Sequence, residues 1–213
     1  MKTFFVYLCK LFLFPVAGLF TREIKGKENI PKGNSFIIAS NHINSLDYWF
    51  IGDVLKERTR DLRFVAAMDS FKTLLQSGLL YYSSGAIVIN RKRGKRGGII
   101  KKIIKNLENK KIVVLFPEGN TNSRKKLLKG KTGIAELALK SGVPVIPFGI
   151  RKAENSLKRI IEIGKPLCFS EERKLLNQTE NNQEKYHMFL RDITNKIMQE
   201  ISKLSQKSYI YDN

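Results

Sequence analysis

Acid, sulfur and histidine are all scarce in this sequence. The two cysteines, Cys9 and Cys168, show no CxxC and no Cys/His spacing, which excludes a disulfide framework and a cysteine metal site. They read as reduced thiols in apolar surroundings and a cytosolic setting, neither one catalytic. With only two histidines, His42 and His187, no metal centre is expected either. Acidic residues number 19 against 39 Lys and Arg, a formal charge of +20 that draws polyanions. The partners to weigh are therefore nucleic acid, an anionic membrane surface and small phosphorylated molecules.

Internal repeats and a Gly, Pro or Ser-rich linker are also missing, so 213 residues read as one domain. A hydrophobic share of 42% excludes a disordered chain. Long apolar runs are absent except at the start, MKTFFVYLCKLFLFPVAGLF, where Lys10 interrupts the run and Pro15 would kink a helix. A spanning helix needs about 20 mostly apolar residues, which this segment barely supplies. Residues 1–21 are expected to form a membrane-associating helical segment that lies in or dips into one leaflet. That reading is preferred to a cleaved signal peptide and to a helix packed on the domain. Residues 22–213 would form the globular domain, held peripherally or monotopically at the cytoplasmic face of the cell membrane. Anionic headgroups contribute roughly 1 kcal/mol per nearby Lys or Arg.

What is present is an alternation of short apolar runs and helical stripes. Strands are expected at 35–39, 63–67, 86–90, 112–116 and 143–150, and helices at 47–56, 70–77, 97–111, 132–141 and 184–204. The stripe Ile99, Ile100, Ile103, Ile104, Leu107 is the clearest of the helical signals. The fold class is α/β, with a mixed, largely parallel central sheet flanked by helices. Pro144 and Pro147 are expected at the ends of the last strand or at a sheet edge.

Four segments carry chemistry. In ASNHINSLDYW, His42 and Asp47 are five residues apart, about 140° around a helix, so they meet only if His42 stands in a turn before the helix that begins at Asp47. Asn41, Asn44 and Ser45 supply turn and cap chemistry there. An aspartate on one imidazole nitrogen would fix the tautomer and leave the other nitrogen as a general base; an ordinary capped turn is the alternative. In GAIVINRKRG, Arg91 closes a strand and suits a phosphate, whereas Lys92, Arg93, Lys95 and Arg96 read as a solvated loop. In VVLFPEGNTNS, Pro117 stops a strand and Gly119 permits a tight turn that displays Glu118. In KGKTGIAELALKSGVPVIPFGI, Gly130-Lys131-Thr132 looks like the end of a phosphate-binding P-loop. Lys125 stands where that loop needs glycine, so the P-loop is rejected. Val143 to Pro147 reads as an apolar segment on a groove, with Val145 as core.

In this order the four segments resemble the glycerolipid acyltransferase family, in its bacterial 1-acylglycerol-3-phosphate acyltransferase branch. The N-H-x4-D motif matches Asn41, His42 and Asp47; a strand ending in arginine matches Ile89-Asn90-Arg91. F-P-E-G matches Phe116 to Gly119, and V-P-[VI]-[IV]-P matches Val143 to Pro147. The resemblance covers roughly residues 20 to 165. Two departures stand out: Asn44 where the family often has serine, and Thr121 where it usually carries an arginine credited with binding acceptor phosphate. Arg124, Lys129 and Lys131 are the available substitutes.

The resemblance implies acyl transfer from acyl-CoA or acyl carrier protein to the sn-2 hydroxyl of a lysophospholipid, with no cofactor or metal. His42 would be the base and Asp47 its partner. Arg91 and, more weakly, Lys131 would hold the phosphate, while Glu118 and Gly119 shape the acceptor site. Amides of the 42–47 turn or of Gly119 would hold the oxyanion. Another lysophospholipid or an aminolipid is the alternative acceptor. Nucleic acid is disfavoured as a partner, because the aromatics are not interleaved with the basic loops.

Overall fold

The computed structural model describes residues 14–67, 86–89, 96–176 and 182–211. The expected helix at 70–77, Cys9, Asn90 and Arg91 lie outside the described residues, as do residues 1–13 of the apolar segment. In chain order the elements are α1 (Phe14–Leu19), β1 (Thr21–Lys25), β2 (Ile37–Ser40), α2 (Asp47–Val54), β3 (Leu62–Ala67) and β4 (Ile87–Ile89). There follow α3 (Arg96–Glu108), β5 (Ile112–Leu115), α4 (Gly133–Ser141), β6 (Val145–Lys152), β7 (Arg159–Ile163), α5 (Ser170–Lys174) and α6 (Gln183–Ser205).

The apolar strand runs pair into one seven-stranded sheet in the order β1-β7-β6-β2-β5-β3-β4. Strands β2 to β6 are mutually parallel, and β2 lies at the centre, with Ile37 opposite Val113 of β5 on one side and Val145 of β6 on the other. The mixed character comes from β7, which runs antiparallel to β6, and from β1, which pairs parallel to β7. Neither β1 nor β7 was anticipated, nor was the short α5. TREIK and RIIEI are brief and charged, and only pairing with a neighbour makes such segments strands.

Two apolar layers enclose the sheet. Ile38, Val114, Ile146 and Phe148 meet Ala17 of α1 and Phe50, Ile51 and Val54 of α2 on one face. Ile37, Val113 and Val145 meet α3, α4 and α6 on the other. The expected stripe on α3 is realised, with Ile100, Ile103 and Leu107 buried and Lys101, Lys102 and Lys105 exposed; each such buried side chain contributes about 1.5–3 kcal/mol. Helix α6 buries Leu190, Ile193, Ile197 and Ile201 in the same way. Its last turn lies directly on Gly149 of β6, where any Cβ would sit 2.3 Å from the Leu204 carbonyl carbon, so only glycine permits this approach.

Three expectations are corrected. Strand β6 is interior, flanked by β2 and β7, and its prolines do not mark an edge. Pro147 is accommodated because its missing N–H falls between two stretches of pairing: the Val145–Leu167 bridge on one side and the end of β7 at Ile163, opposite Phe148, on the other. The Pro147 carbonyl still accepts from Gly164 at 2.9 Å. Cys168 is exposed, not set in apolar surroundings. The bridge turns Leu167 toward the core, so the next residue alternates outward before Phe169 turns in again. Finally, α2 ends at Val54, short of Lys56.

In α1, Ala17 is buried against the domain while Val16 and Leu19, and Phe20 just after the helix, are exposed. Among the described residues, no helix is long and apolar enough to cross a membrane.

Candidate active site

The carboxyl end of the central strand β2 delivers the chain into the turn Asn41–Leu46, and α2 begins at Asp47. Ligands of open α/β sheets collect at such strand ends. Asn41 ties the turn to the neighbouring strand: its Nδ2 donates to the Ile150 carbonyl, and its Oδ1 accepts the Ile150 N–H, both at 2.8 Å. Sequence reading treated Asn41 as turn chemistry alone; its amide satisfies β6 where β2 has ended.

His42 and Asp47 meet as the turn geometry requires. Asp47 Oδ2 lies 2.8 Å from His42 Nδ1 and accepts the N–H groups of Ile43 at 2.6 Å and Asn44 at 2.9 Å. Asp47 is fully buried, and His42 is 8% exposed. The carboxylate thus closes its own turn as well as holding the ring. Asn44 does not cap α2; its Oδ1 accepts from Leu46, a local turn that leads into the helix. An ionised Asp47 sets the Nδ1–H tautomer and leaves Nε2 as the ring's basic nitrogen. Against one face of the ring Phe116 stacks at 4.0 Å between centroids, and Tyr48 meets it edge-on at 5.6 Å.

The 118–122 loop grips His42 from the other side. Buried Glu118 accepts the His42 N–H at 3.2 Å through Oε1, and Asn122 Nδ2 at 2.7 Å and the Leu128 N–H at 2.9 Å through Oε2. The Asn122 N–H donates to the His42 carbonyl at 2.6 Å. Glu118 therefore spends its oxygens on the protein, so it shapes the site by fixing the loop to the His42 backbone. Gly119 takes φ 73°, which suits glycine, and Lys131 packs over it.

A cavity of about 750 Å³ opens beside the dyad. Val65, Ile89, Ile100, Ile103, Ile134 and Leu137 make its deep part apolar, whereas Thr121 and Lys131 give it a polar margin with His42. Arg124 and Lys129, the other substitutes for the expected arginine, do not line it. Arg91 lies outside the described residues. Six of the amides expected to hold an oxyanion are already engaged: His42, Ile43, Asn44 and Leu46 by side chains, Asp47 by the Asn44 carbonyl and Gly119 by the Phe116 carbonyl. Among the described residues, no three His, Cys, Asp or Glu side chains cluster as metal ligands.

One cation behind the site escaped sequence reading. Lys207, in the segment that follows α6, donates from Nζ to the Asn122 carbonyl at 2.7 Å. Burial pulls its ammonium below the ordinary lysine range, while the negative charges of Glu118 and Asp47 push it back. No local motif marks a lysine some 85 positions away from the loop it holds.

A family model described as Acyltransferase matches residues 21–151. The 1-acyl-sn-glycerol-3-phosphate acyltransferase alpha of Mus musculus is 30% identical over 133 residues, covering 59% of this chain and 44% of that protein. The 1-acyl-sn-glycerol-3-phosphate acyltransferase of Escherichia coli (strain K12) is 29% identical over 147 residues, 68% of this chain and 58% of that protein. The chain thus spans about half the length of the curated relatives it matches. The crystal structure of the 1-acyl-sn-glycerophosphate (LPA) acyltransferase from Thermotoga maritima superposes with a TM-score of 0.59 at 20% identity, covering 94% of this chain and 81% of that one. The two share a fold.

Proposed function

The chain belongs to the acyltransferase family, and from that premise we propose that it moves a fatty acyl group from a thioester donor to the sn-2 hydroxyl of 1-acylglycerol-3-phosphate, a step of phospholipid biosynthesis. The observation that carries this reading is the His42–Asp47 pair, 2.8 Å apart, at the mouth of a mostly apolar cavity.

A hydroxyl is a weak nucleophile at neutral pH, whereas a thioester carbonyl is already reactive and its thiolate leaves readily. One placed base is enough. His42 Nε2 takes the acceptor hydroxyl proton as the oxygen attacks the thioester carbonyl, and Asp47 stabilises the imidazolium that forms. The tetrahedral intermediate collapses, the C–S bond breaks, and the leaving thiolate takes the proton from His42. The apolar wall suits an acyl chain, and Lys131 at the margin suits the phosphate; Arg91 is assigned to the same phosphate on its motif alone. Glu118 and Gly119 act by holding the loop that frames the acceptor. Acyl-CoA or acyl carrier protein is the donor, and no resident cofactor is invoked.

The charge of +20 and the exposed Val16, Leu19 and Phe20 support a working position at an anionic membrane surface, on its cytoplasmic face. There both acyl chains can remain in lipid. A second reading keeps the chemistry and changes the acceptor. Thr121 lines the cavity where the resembled motif carries a phosphate-binding arginine, which favours a lysophospholipid with another headgroup or an aminolipid.

Product mass spectrometry with lysophosphatidate, a panel of other lysolipids and both acyl donors tests the proposal. Phosphatidate formation by the wild type and its loss in a folded His42→Ala variant is the expected result. Full activity of that variant would overturn the role of His42, and preference for another acceptor would overturn the first choice.

A further inference from the structure

We propose that Lys207 is a positioning residue for the His42–Asp47 dyad, acting through the 118–122 loop from outside the segment that defines the family. It rests on the acyl-transfer reading of His42, and it lies well beyond the residues 21–151 matched by the family model.

The connection is a continuous chain of short polar contacts. Lys207 Nζ donates to the Asn122 carbonyl at 2.7 Å. The Asn122 N–H donates to the His42 carbonyl at 2.6 Å, and Asn122 Nδ2 to Glu118 Oε2 at 2.7 Å. Glu118 Oε1 then accepts the His42 N–H at 3.2 Å. Both backbone groups of His42 are thus held by a loop whose own carbonyl is held by Lys207. The ring can keep its bond to Asp47 only if this backbone stays in register, because the Ile43 N–H that Asp47 accepts belongs to the same planar peptide unit as the His42 carbonyl that Asn122 holds.

Charge strengthens the case. Glu118 and Asp47 are 2% and 0% exposed, and burying two carboxylates together is costly unless a cation compensates. Lys207 is a cation that both of them attract. Its own place is fixed by the segment around it. Gln206 adopts a left-handed conformation at the end of α6, and the Lys207 N–H and carbonyl both bond Ser202, to its carbonyl and its Oγ respectively. Ser208 then bridges to Lys126, accepting the Leu127 N–H at 2.9 Å and donating to the Lys125 carbonyl at 3.0 Å. Tyr209 Oη donates to Asn195 Oδ1 at 2.9 Å, and Asn195 Nδ2 to the Tyr211 carbonyl at 3.1 Å. The segment is therefore a strap, anchored on α6, that reaches under the catalytic loop.

The test uses the full chain with Lys207→Met, Lys207→Gln and Lys207→Arg, beside wild type and His42→Ala. Two readouts are taken: steady-state kinetics with lysophosphatidate and acyl-CoA, and the proton NMR resonance of the His42 Nδ1–H. The one other histidine, His187, is exposed and exchanges its ring N–H with water, so a slowly exchanging imidazole resonance belongs to His42. In Lys207→Met, kcat falls about tenfold or more, KM for each substrate stays within about twofold, and the Nδ1–H resonance shifts or broadens. Lys207→Arg restores most of kcat. Unchanged kcat and resonance in Lys207→Met, or a change confined to KM, overturns the proposal. A purely structural lysine would lower the yield of folded protein and leave kcat per folded molecule intact. If Lys207→Met does not fold, Lys207→Gln, which keeps a donor and loses the charge, decides on the same readouts. Activity retained by His42→Ala would remove the reading of His42, and the resonance would still decide whether Lys207 holds the dyad.

Discussion

The imidazole of His42 lies nearly flat on Phe116, with ring centroids 4.0 Å apart and planes inclined by 17°. Phe116 is the residue that leaves β5 just before the Pro117 turn, so the strand next to β2 supplies a floor for the ring. The ring then has two constraints, the Asp47 bond along one edge and the aromatic face beneath.

Removing that floor should therefore cost both stability and rate. Phe116→Ala is expected to destabilise by about 2–4 kcal/mol, less than a fully buried phenylalanine because Phe116 is half-buried. Its kcat should fall by about one to two orders of magnitude. Phe116→Leu should recover most of the stability and little of the rate. Urea denaturation with parallel kinetics separates the two effects, and equal recovery of both would count against a role for the stacked ring.

Asp47→Asn keeps the size of the side chain and changes what it offers His42. An amide either donates toward Nδ1 or accepts without charge, so the tautomer and the imidazolium both lose support. We expect kcat to drop by about 10²–10⁴ with a much smaller change in KM. A loss below about tenfold would show that His42 does not depend on the carboxylate.

Glu118→Gln tests the loop grip without touching the cavity. Three donors converge on the carboxylate, and an amide necessarily turns an N–H toward one of them. The expected cost is about 1–3 kcal/mol in chemical denaturation, accompanied by reduced kcat because the loop holds the His42 backbone. An unaltered midpoint would mean that Glu118 is not the keystone of the loop.

A pH prediction concerns Asp53 of α2, whose carboxylate faces Gly18 of α1. Burial raises its carboxyl above the ordinary value, against the lowering pull of Lys56 and Lys27. The folded state thus binds this proton more tightly than the unfolded state. Its contribution favours folding in acid and is lost as pH rises from the ordinary carboxylate value through the raised one. Asp53→Asn should therefore raise Tm at pH 7 and leave it nearly unchanged at pH 4. Thermal melts at the two pH values check this, and a larger gain at pH 4 would contradict the sign.

The pattern of hydrophobic runs and the four motifs made the parallel core legible. Ile37, Ile38, Val113 and Val114 are so uniformly apolar that only a strand buried on both faces uses them. A separation of about 140° around a helix likewise requires His42 to stand outside the helix that starts at Asp47, and the turn takes that form. The prolines of β6 misled because their tolerance depends on where β7 ends, at Ile163, many residues downstream. Cys168 misled because its outward direction follows from a single bridge between Leu167 and Val145.

Composition and spacing by themselves determined an α/β chain with strong positive charge and a histidine–aspartate turn at a strand end. Local periodicity and side-chain chemistry are enough for that. The tertiary structure decided which polar groups bind within the protein and which line the cavity. Glu118 and the amides of His42, Ile43 and Asn44 are absorbed by internal bonds, Lys131 and Thr121 line the cavity, and Lys207 arrives from beyond α6 to hold Asn122. Such assignments depend on contacts between residues far apart in the chain, and a hydrogen bond across 85 positions leaves no periodic trace in the sequence.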